Sequence, residues 1–358
     1  MEYWLTGQQQ LVQSSFHDFL ASECTPARVR TAYDTDLTFD EDLWKALGQL
    51  GFTGTCIPSD QGGSGLGLME AALVSEELGR HATPLFLEGH TLAGLAIALG
   101  GTQSQKEQLL PGLASGERIG SVALTSQGNG TAWCDWQVEP GGGNTASVET
   151  VPLGDVANVL VIGCANGQLG VLETELANVS ASNCNGIDRS RSIFRVSFDE
   201  AAVDALPGLP GEVLCNALLV LLAADAFGAA GRLLELTVEY AKTREQFGQP
   251  IGGFQAVKHQ LAEYALAAVT ARGLFWKAAG EFDENPESAS KSASMAKAHI
   301  TEQAMHIARG AVELHGGIGF TWESDVQLYF KRALFDRTYL GTPQMHRERC
   351  AKLSGWNR

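Results

Sequence analysis

The spacing of apolar residues changes twice along the chain, and these changes divide it into three segments. In residues 1–118 apolar side chains recur at helical intervals, as at Leu43, Leu47 and Leu50, which is typical of helices with one buried face. From about 119 to 205 they fall in short β-branched runs such as ASVETV, VANVLVIG and IFRVSF, separated by Gly, Asn and Asp, as in strands and turns. Helical spacing then resumes. The pattern predicts an α+β multidomain fold with a helical domain at 1–118, a β domain at 119–207 and a second helical domain at 208–358.

Some helix ends and turns are also marked in the sequence. The segment MEAALVSEELG at 69–79 predicts a helix that stops at Gly79, because glycine is common just beyond a helix end. Segments rich in proline, glycine and polar residues at 207–212, 248–253 and 283–288 predict breaks between elements.

The charge of the chain limits the kinds of molecule that we expect it to bind. With 25 Lys and Arg against 41 Asp and Glu, the formal net charge is −16. We expect neither nucleic acid nor an anionic membrane as a partner, because both surfaces would repel so acidic a protein. The longest apolar run, 217–226, contains Asp225 and is too short to span a bilayer. The first ten residues do not resemble a secretory signal, so we expect a cytoplasmic protein.

The seven cysteines lie far apart and form no C-x-x-C pair. An odd, scattered set is typical of thiols in a reducing compartment, not of a disulfide framework or a zinc site. No metal site is predicted from the sequence.

Three long segments resemble acyl-CoA dehydrogenases. The first is LGFTGTCIPSDQGGSGLGLMEAALVSEELGR at 50–80, followed by QKEQLLPGLASGE at 105–117. The second is EYAKTREQFGQPIGGFQAVKHQLAE at 239–263, and the third is ELHGGIGFTWESDVQLYFKRA at 313–333, which leads on to HRERCAKL. The resemblance implies an N-terminal helical domain, a middle β-barrel and a C-terminal four-helix bundle. It also implies an oxidoreductase that dehydrogenates the α and β carbons of an acyl-CoA thioester with FAD as its cofactor.

The resemblance further implies where the ADP half of FAD is held, which in this family is largely the C-terminal bundle of the neighbouring subunit. Arginine offers a fork of donors for phosphate oxygens, and glycines let backbone N–H groups approach a pyrophosphate. By motif match, the residues expected at this half are Arg244, Gln246, Phe247, Gln255, Gly316 and Gly317. Glu313, Thr342 and Gln344 are also expected to be cofactor-binding residues. Gly319 is expected in the same turn as the two glycines, and Glu313 replaces the family's usual glutamine.

The residue types implied for the catalytic base are missing. The family reaction needs a carboxylate that takes a proton from the α-carbon of the thioester. Leu340 stands at the glutamate position of the segment that resembles Tyr-Glu-Gly-Thr, and Leu218 stands at the alternative position on the first helix of the bundle. Leucine cannot accept a proton. Asp225, two helical turns beyond Leu218, is a candidate for a relocated base, although a helix-packing role is the favoured interpretation.

The loop that resembles the family's flavin-ring segment, Thr-Glu-Pro-x-x-Gly-Ser, is only partly preserved. It runs from Thr125 to Thr131 and keeps a hydroxyl at each end, so both threonines are expected near the flavin, but the Glu and Pro are replaced. The family's flavin-stacking tryptophan has no counterpart at 147–161. Trp133 and Trp136 are predicted to pack within the protein.

Three hypotheses of function follow. The favoured one is a subunit that completes the flavin site of a homologous, base-carrying partner in an α2β2 assembly. The HGGIGFTWE and HRER segments of this chain resemble those of heteromeric acyl-CoA dehydrogenases of actinobacterial steroid degradation. This resemblance implies a steroid-CoA substrate and an electron-transfer flavoprotein as electron acceptor. The alternatives are a self-sufficient homotetramer with Asp225 as base and a non-enzymatic scaffold. Fold alone does not decide among them.

Overall fold

The computed structural model describes residues 4–35, 37–125 and 134–356. The helices in these residues are α1 Gly7–Glu23, α2 Pro26–Asp34, α3 Glu41–Gln49, α4 Leu68–Arg80, α5 Leu87–Gly100, α6 Gln103–Ser115, α7 Gly211–Thr243, α8 Gln255–Glu284, α9 Ser290–His315, α10 Val326–Thr338 and α11 Pro343–Leu353. The strands are β1 Gly120–Ala123, β2 Gly141–Pro152, β3 Val159–Cys164, β4 Gln168–Glu173, β5 Asn178–Asn183, β6 Ile193–Leu206, β7 Glu245–Gln246 and β8 Gln249–Pro250. The predicted order of helical, β and helical segments is confirmed.

The chain forms two compact units. The helical unit consists of the residues up to Val29, of Ala72–Thr83 and of the residues from Leu219 onward. The sheet unit consists of Arg30–Ala71 and Pro84–Leu218. The domain boundaries predicted at 118/119 and 207/208 stand just before β1 and α7 in the sequence, whereas each compact unit combines residues from several parts of the chain.

A six-stranded sheet is the centre of the sheet unit. Its strands follow the order β1-β3-β4-β6-β2, with β5 paired to β6; β1 and β3 are parallel and the other pairs are antiparallel. Leu160, Ile162 and Val196 have no exposed surface and belong to its apolar core. The two end strands approach each other, since the Ser121 hydroxyl of β1 donates to the Pro152 carbonyl of β2. The sheet is therefore curled, as the resemblance to a β-barrel domain implies.

A buried histidine attaches helix α5 to this sheet. Nδ1 of His90 accepts a hydrogen bond from the Gly120 N–H at 2.9 Å, and Nε2 donates toward the carbonyl oxygens of Thr53 and Leu113, each 3.1 Å away. Burial lowers the pKa of His90 to about 4. The ring is therefore neutral at pH 7, and a single tautomer satisfies all three partners.

Helix α7 supplies much of the core of the helical unit. It has 33 residues and is long and apolar enough to cross a membrane, contrary to the expectation drawn from the shorter run 217–226, but its apolar window is entirely buried inside the protein. A helix that is apolar on all sides is typical of a protein core as well as of a membrane span. Phe227 of α7 lies 5.5 Å from Phe275 of α8, measured between ring centroids. The burial therefore identifies α7 as a core helix of this fold.

The predicted helix end at Gly79 is wrong. Helix α4 continues to Arg80, with Gly79 inside it. A Cβ atom at Gly79 would overlap the carbonyl oxygen of Asp225 on α7, and a Cβ atom at Gly228 on α7 would overlap the carbonyl oxygen of Glu76 on α4. The two glycines thus allow the backbones of α4 and α7 to touch. Gly79 is a packing residue and not a cap.

We expect Gly79→Ala to lower the free energy of unfolding by about 3 kcal/mol, because the added methyl group must push α4 away from α7. Gly231→Ala is the matched control: it lies in α7, and its Cβ would meet no atom within 4 Å. That control should stabilise the helix by about 0.5–1 kcal/mol, since alanine loses less backbone entropy than glycine. Urea denaturation of both variants measures the difference, and equal effects would contradict the helix contact described above.

Candidate cofactor-binding site

A short hairpin follows helix α7 and presents an aromatic side chain to the outside. Strands β7 and β8 pair Gln246 with Gln249, and the loop residues Phe247 and Gly248 have φ of 54° and 82°. Two successive positive φ values are typical of a type I′ turn, a conformation that an aromatic residue adopts only with strain. The Phe247 side chain is 93% exposed. This exposure makes Phe247 a candidate for contact with another molecule.

Arg244 has a fixed backbone and an open side chain. Its N–H donates to the Tyr240 carbonyl and its own carbonyl accepts from the Ile251 N–H, both at 2.8 Å. Its exposed guanidinium forms no hydrogen bond or ion pair with the part of the chain that the structure describes. Its five N–H donors are therefore available to a ligand.

The beginning of helix α8 adds further donors. Gln255 is its first residue and is exposed. The preceding residue, Phe254, provides no side-chain cap, so the first N–H groups of α8 remain open to an anion. Gln246, also exposed, donates only to the carbonyl of its neighbour Glu245, at 2.8 Å. Donors and a helix terminus thus lie at the same end of the helical unit as the hairpin.

The turn after helix α9 provides an open backbone surface. Gly316 has φ 61° and ψ −141°, a conformation almost confined to glycine. A Cβ at Gly316 or Gly317 would meet nothing within 4 Å, so neither glycine is required by internal packing. Gly319 differs, because its Cβ would lie 2.8 Å from the Val312 carbonyl oxygen. Gly319 is therefore needed for the packing of the turn and Gly316 for its backbone conformation, while the backbone of Gly316 and Gly317 is exposed. Glu313, one turn earlier, is exposed.

A stacked pair of rings brings the hairpin and the glycine turn together. Tyr240, near the end of α7, and His315, the last residue of α9, stack with centroids 4.3 Å apart and planes 21° from parallel. The Tyr240 hydroxyl also donates to the His315 carbonyl at 3.4 Å. His315 donates from Nδ1 to the Ala311 carbonyl at 2.8 Å, and burial lowers its pKa. The sequence does not reveal this pair, because the two rings are far apart along the chain.

Other residues expected at the cofactor have local roles in the structure. The Thr342 hydroxyl caps α11 by accepting from the Met345 N–H at 3.5 Å. Gln344 donates to Glu348 at 3.1 Å. In the described residues no hydrogen bond joins either to the hairpin. They remain predicted cofactor residues.

The flavin-ring loop is described only at its first residue. The Thr125 hydroxyl donates to the Glu149 carbonyl at 2.6 Å and accepts from the Thr150 hydroxyl at 2.9 Å. Thr131 and Trp133 lie outside the described residues.

Trp136 follows the flavin-ring loop and is 5% exposed; it donates to the Leu124 carbonyl at 3.1 Å. Its ring fills the space above Gly163 and Gly211. The predicted packing role of Trp136 is confirmed.

The two expected base positions are apolar in the structure. Leu218 is completely buried within α7. Leu340 lies in the turn before α11 with φ 55°, a strained conformation for leucine. Its carbonyl accepts from Nε2 of His346 at 3.0 Å, and Nζ of the buried Lys297 donates to the Gly341 carbonyl at 3.5 Å. These hydrogen bonds fix the turn, which contains no acidic side chain.

Asp225 is a structural residue. Its two carboxylate oxygens lie 3.1 and 3.0 Å from Nη1 of Arg332 on α10, and neither side chain has any exposed surface. Arg332 also donates from Nη2 to the carbonyl of Thr83 at 2.8 Å. A carboxylate held in this way is not open to a substrate. The favoured packing interpretation of Asp225 is confirmed.

Comparison with known proteins agrees with this fold. The family model described as Acyl-CoA dehydrogenase, N-terminal domain, matches residues 6–117, and the model for the C-terminal domain matches residues 220–354. The acyl-CoA dehydrogenase IpdE2 of Mycobacterium tuberculosis is 34% identical over 338 residues, which cover 94% of each chain. The bovine mitochondrial short-chain specific acyl-CoA dehydrogenase is 27% identical over 377 residues, which cover 96% of this chain and 89% of the relative.

Solved structures agree as well. The Tcur3481-Tcur3483 steroid ACAD superposes with a TM-score of 0.89 and 28% identity, with 98% of both chains covered. Butyryl-CoA dehydrogenase from Megasphaera elsdenii shares the fold with a TM-score of 0.87 at 24% identity, with 99% of this chain and 100% of that chain covered. The exposed hairpin and glycine turn therefore occur within a known flavoprotein fold, and the chain belongs to the acyl-CoA dehydrogenase family, whose members are oxidoreductases that bind FAD.

Proposed function

We propose that this chain is a subunit of an FAD-dependent acyl-CoA dehydrogenase and that it holds the ADP half of a flavin whose catalytic base belongs to a homologous partner subunit. The observation that carries the proposal is a contrast within the chain. Leucine stands at both family base positions, whereas the side chains and backbone suited to a pyrophosphate are exposed and open. Such a subunit contributes binding without proton abstraction.

The residues present fit the ADP half of FAD. The open guanidinium of Arg244 suits pyrophosphate oxygens, and the backbone at Gly316 and Gly317 has room for a close approach. Phe247 offers a flat apolar face for the adenine, since the turn of the hairpin leaves its side chain 93% exposed. Gln246, Gln255, Glu313, Thr342 and Gln344 would complete this half of the site. When bound, FAD supplies the hydride acceptor for dehydrogenation.

Proton abstraction is the step for which this chain lacks a group. A general base must lie within hydrogen-bond reach of the proton that it removes. Asp225, the relocated candidate, is enclosed by Arg332 without exposed surface. Leu218 and Leu340 have no titratable atom. The partner subunit is therefore the source of the carboxylate, and the pair would assemble as α2β2. This argues against the alternative of a self-sufficient homotetramer.

The relatives support a steroid-derived acyl-CoA as the substrate class. One of the similar solved structures is the Tcur3481-Tcur3483 steroid ACAD, which aligns over 98% of this chain. The acidic chain would act in the cytoplasm and pass electrons to an electron-transfer flavoprotein, as the family resemblance implies.

The direct test is to produce the chain alone and together with a homologous subunit that retains the glutamate, then measure flavin absorbance, mass in solution and dehydrogenation of steroid-CoA esters. The proposal expects a colourless chain alone, and a yellow, active α2β2 complex with one FAD per heterodimer. A chain that is yellow and active by itself would overturn it in favour of a self-sufficient enzyme. A pair that never binds flavin would favour the scaffold.

We expect Arg244→Ala to weaken FAD retention in the complex by roughly 1.5–3 kcal/mol, because a phosphate loses its charge-assisted donors. Lys45→Ala is the control: it also removes one exposed positive charge, from an ion pair with Glu41 on α3. Flavin release on dilution, followed by fluorescence, measures both variants. Full occupancy in Arg244→Ala would contradict the assignment of this residue.

We expect Asp225→Asn to destabilise the chain by about 3 kcal/mol, since Arg332 keeps a buried charge without its counter-ion. Turnover per bound flavin should remain near that of the wild type. The double variant Asp225→Leu, Arg332→Leu is the control and should recover much of the loss, because no charge remains buried. A fall in turnover on the order of a thousandfold in a folded, flavin-loaded Asp225→Asn complex would instead identify Asp225 as the base.

A further inference from the structure

Three potential metal ligands meet at the end of helix α4, in the helical unit and apart from the flavin-site residues. They are His17 on α1, Glu77 on α4, and His81, which follows α4 directly. One ligand atom from each residue lies within 4.8 Å of the other two. The sequence does not reveal this cluster, because only Glu77 and His81 are one helical turn apart, a spacing that places them on one face.

The three side chains converge on the Glu77 carboxylate. Oε2 of Glu77 lies 2.8 Å from Nδ1 of His17 and 4.0 Å from Nε2 of His81. The other oxygen, Oε1, accepts from the Gln13 amide at 3.3 Å. Gln13 therefore orients the carboxylate in the way that outer partners commonly orient metal ligands.

Hydrogen bonds do not account for the position of one nitrogen atom of the cluster. Nε2 of His81 is buried and has no hydrogen-bond partner in the described part of the chain. A buried imidazole nitrogen without a partner is unusual in a native protein. Imidazole nitrogens are among the commonest metal ligands in proteins, so a bound ion would give this nitrogen a partner.

The surroundings allow an ion to enter and to keep an open coordination position. His17 and His81 line a cavity of about 330 Å³, and the His17 side chain is 41% exposed. Arg80 and Arg232 line the same cavity, but both are paired with Glu235, at 2.7 and 3.2 Å. Asp325 contributes a further carboxylate. The C-terminal end of α4, which carries partial negative charge, also favours a cation.

We propose that Nδ1 of His17, Oε2 of Glu77 and Nε2 of His81 form a site for one divalent transition-metal ion of the zinc class, with its fourth position facing the cavity. Two imidazoles and one carboxylate are an established ligand set for zinc. Binding requires the ligand atoms to move together by rotation of the two imidazoles, since metal–nitrogen and metal–oxygen bonds are about 2.0–2.2 Å long. The ion would fasten α1 to α4 and would give the orphaned nitrogen of His81 a partner. This inference does not depend on the flavin site.

The test is titration of the chelator-treated full chain, in its native assembly, with Zn²⁺ by calorimetry and with Co²⁺ by visible absorption. We expect one ion per chain and a Co²⁺ spectrum typical of tetrahedral nitrogen and oxygen ligation. His81→Gln and His17→Gln should each weaken binding by about a hundredfold or more, since replacing even an outer partner of a ligand costs 10–100-fold. His299→Gln, at an exposed position on α9, is the matched control and should bind as the wild type does.

The possible results are distinct. The absence of stoichiometric binding in the wild type would overturn the proposal, as would equal affinity in all variants. If His81→Gln does not fold, His17→Gln decides the matter, because His17 is partly exposed and tolerates a polar replacement more readily. A thermal midpoint that rises with Zn²⁺ in the wild type and in His299→Gln, but not in His17→Gln, would independently support the link between α1 and α4.

Discussion

The helical unit depends on the buried ion pair between Asp225 and Arg332. Two charges without exposed surface are costly to desolvate, and such a pair is retained only when its geometry and additional hydrogen bonds compensate. Here both carboxylate oxygens reach the guanidinium, and a second nitrogen reaches the Thr83 carbonyl. The pair thus joins α7, α10 and the segment after α4. The backbone of Asp225 takes part as well, because its carbonyl oxygen lies directly against Gly79 of α4. Asp225 is therefore fixed through both its side chain and its backbone, as a helix-packing residue is.

Three polar residues of helix α4 each pair with a residue on a different helix. Glu76 pairs with Arg272 of α8 at 2.7 Å, Glu77 with His17 of α1 at 2.8 Å, and Arg80 with Glu235 of α7 at 2.7 Å. Burial raises the pKa of Glu76 to about 7 even though the arginine opposes this shift. Glu76 and Glu77 are buried, and a buried carboxylate is costly unless a partner compensates for its lost hydration. Their positions are therefore determined by partners on other helices rather than by helix propensity.

Helices of the same unit position the exposed residues of the candidate cofactor site. Tyr240 and His315 stack at the ends of α7 and α9, so the hairpin with Phe247 and the turn with Gly316 are presented side by side. Both contain backbone conformations that are unfavourable without a purpose, one in a bulky residue and one restricted to glycine. Strain and exposure at the ends of well-packed helices, together with leucine at the base positions, support the proposal that this subunit binds part of a flavin for another active site.

The sequence by itself determined the order of helical and β segments, the breaks before α8 and α9, the family, and the lack of a base at Leu218 and Leu340. These features follow from local spacing and from motifs of some twenty residues. Strands β4 and β5 were not predicted, since their short mixed sequences lack a clear alternation. The pattern predicts a helix end at Gly79, whereas the structure shows a packing residue. A sequence shows that glycine is small, but it does not show which backbone approaches the glycine. The pairs Tyr240–His315, Asp225–Arg332 and His17–Glu77 join residues 75, 107 and 60 positions apart. Only the tertiary structure decided them, because local periodicity tells which face of a helix is buried but not which distant side chain it meets there.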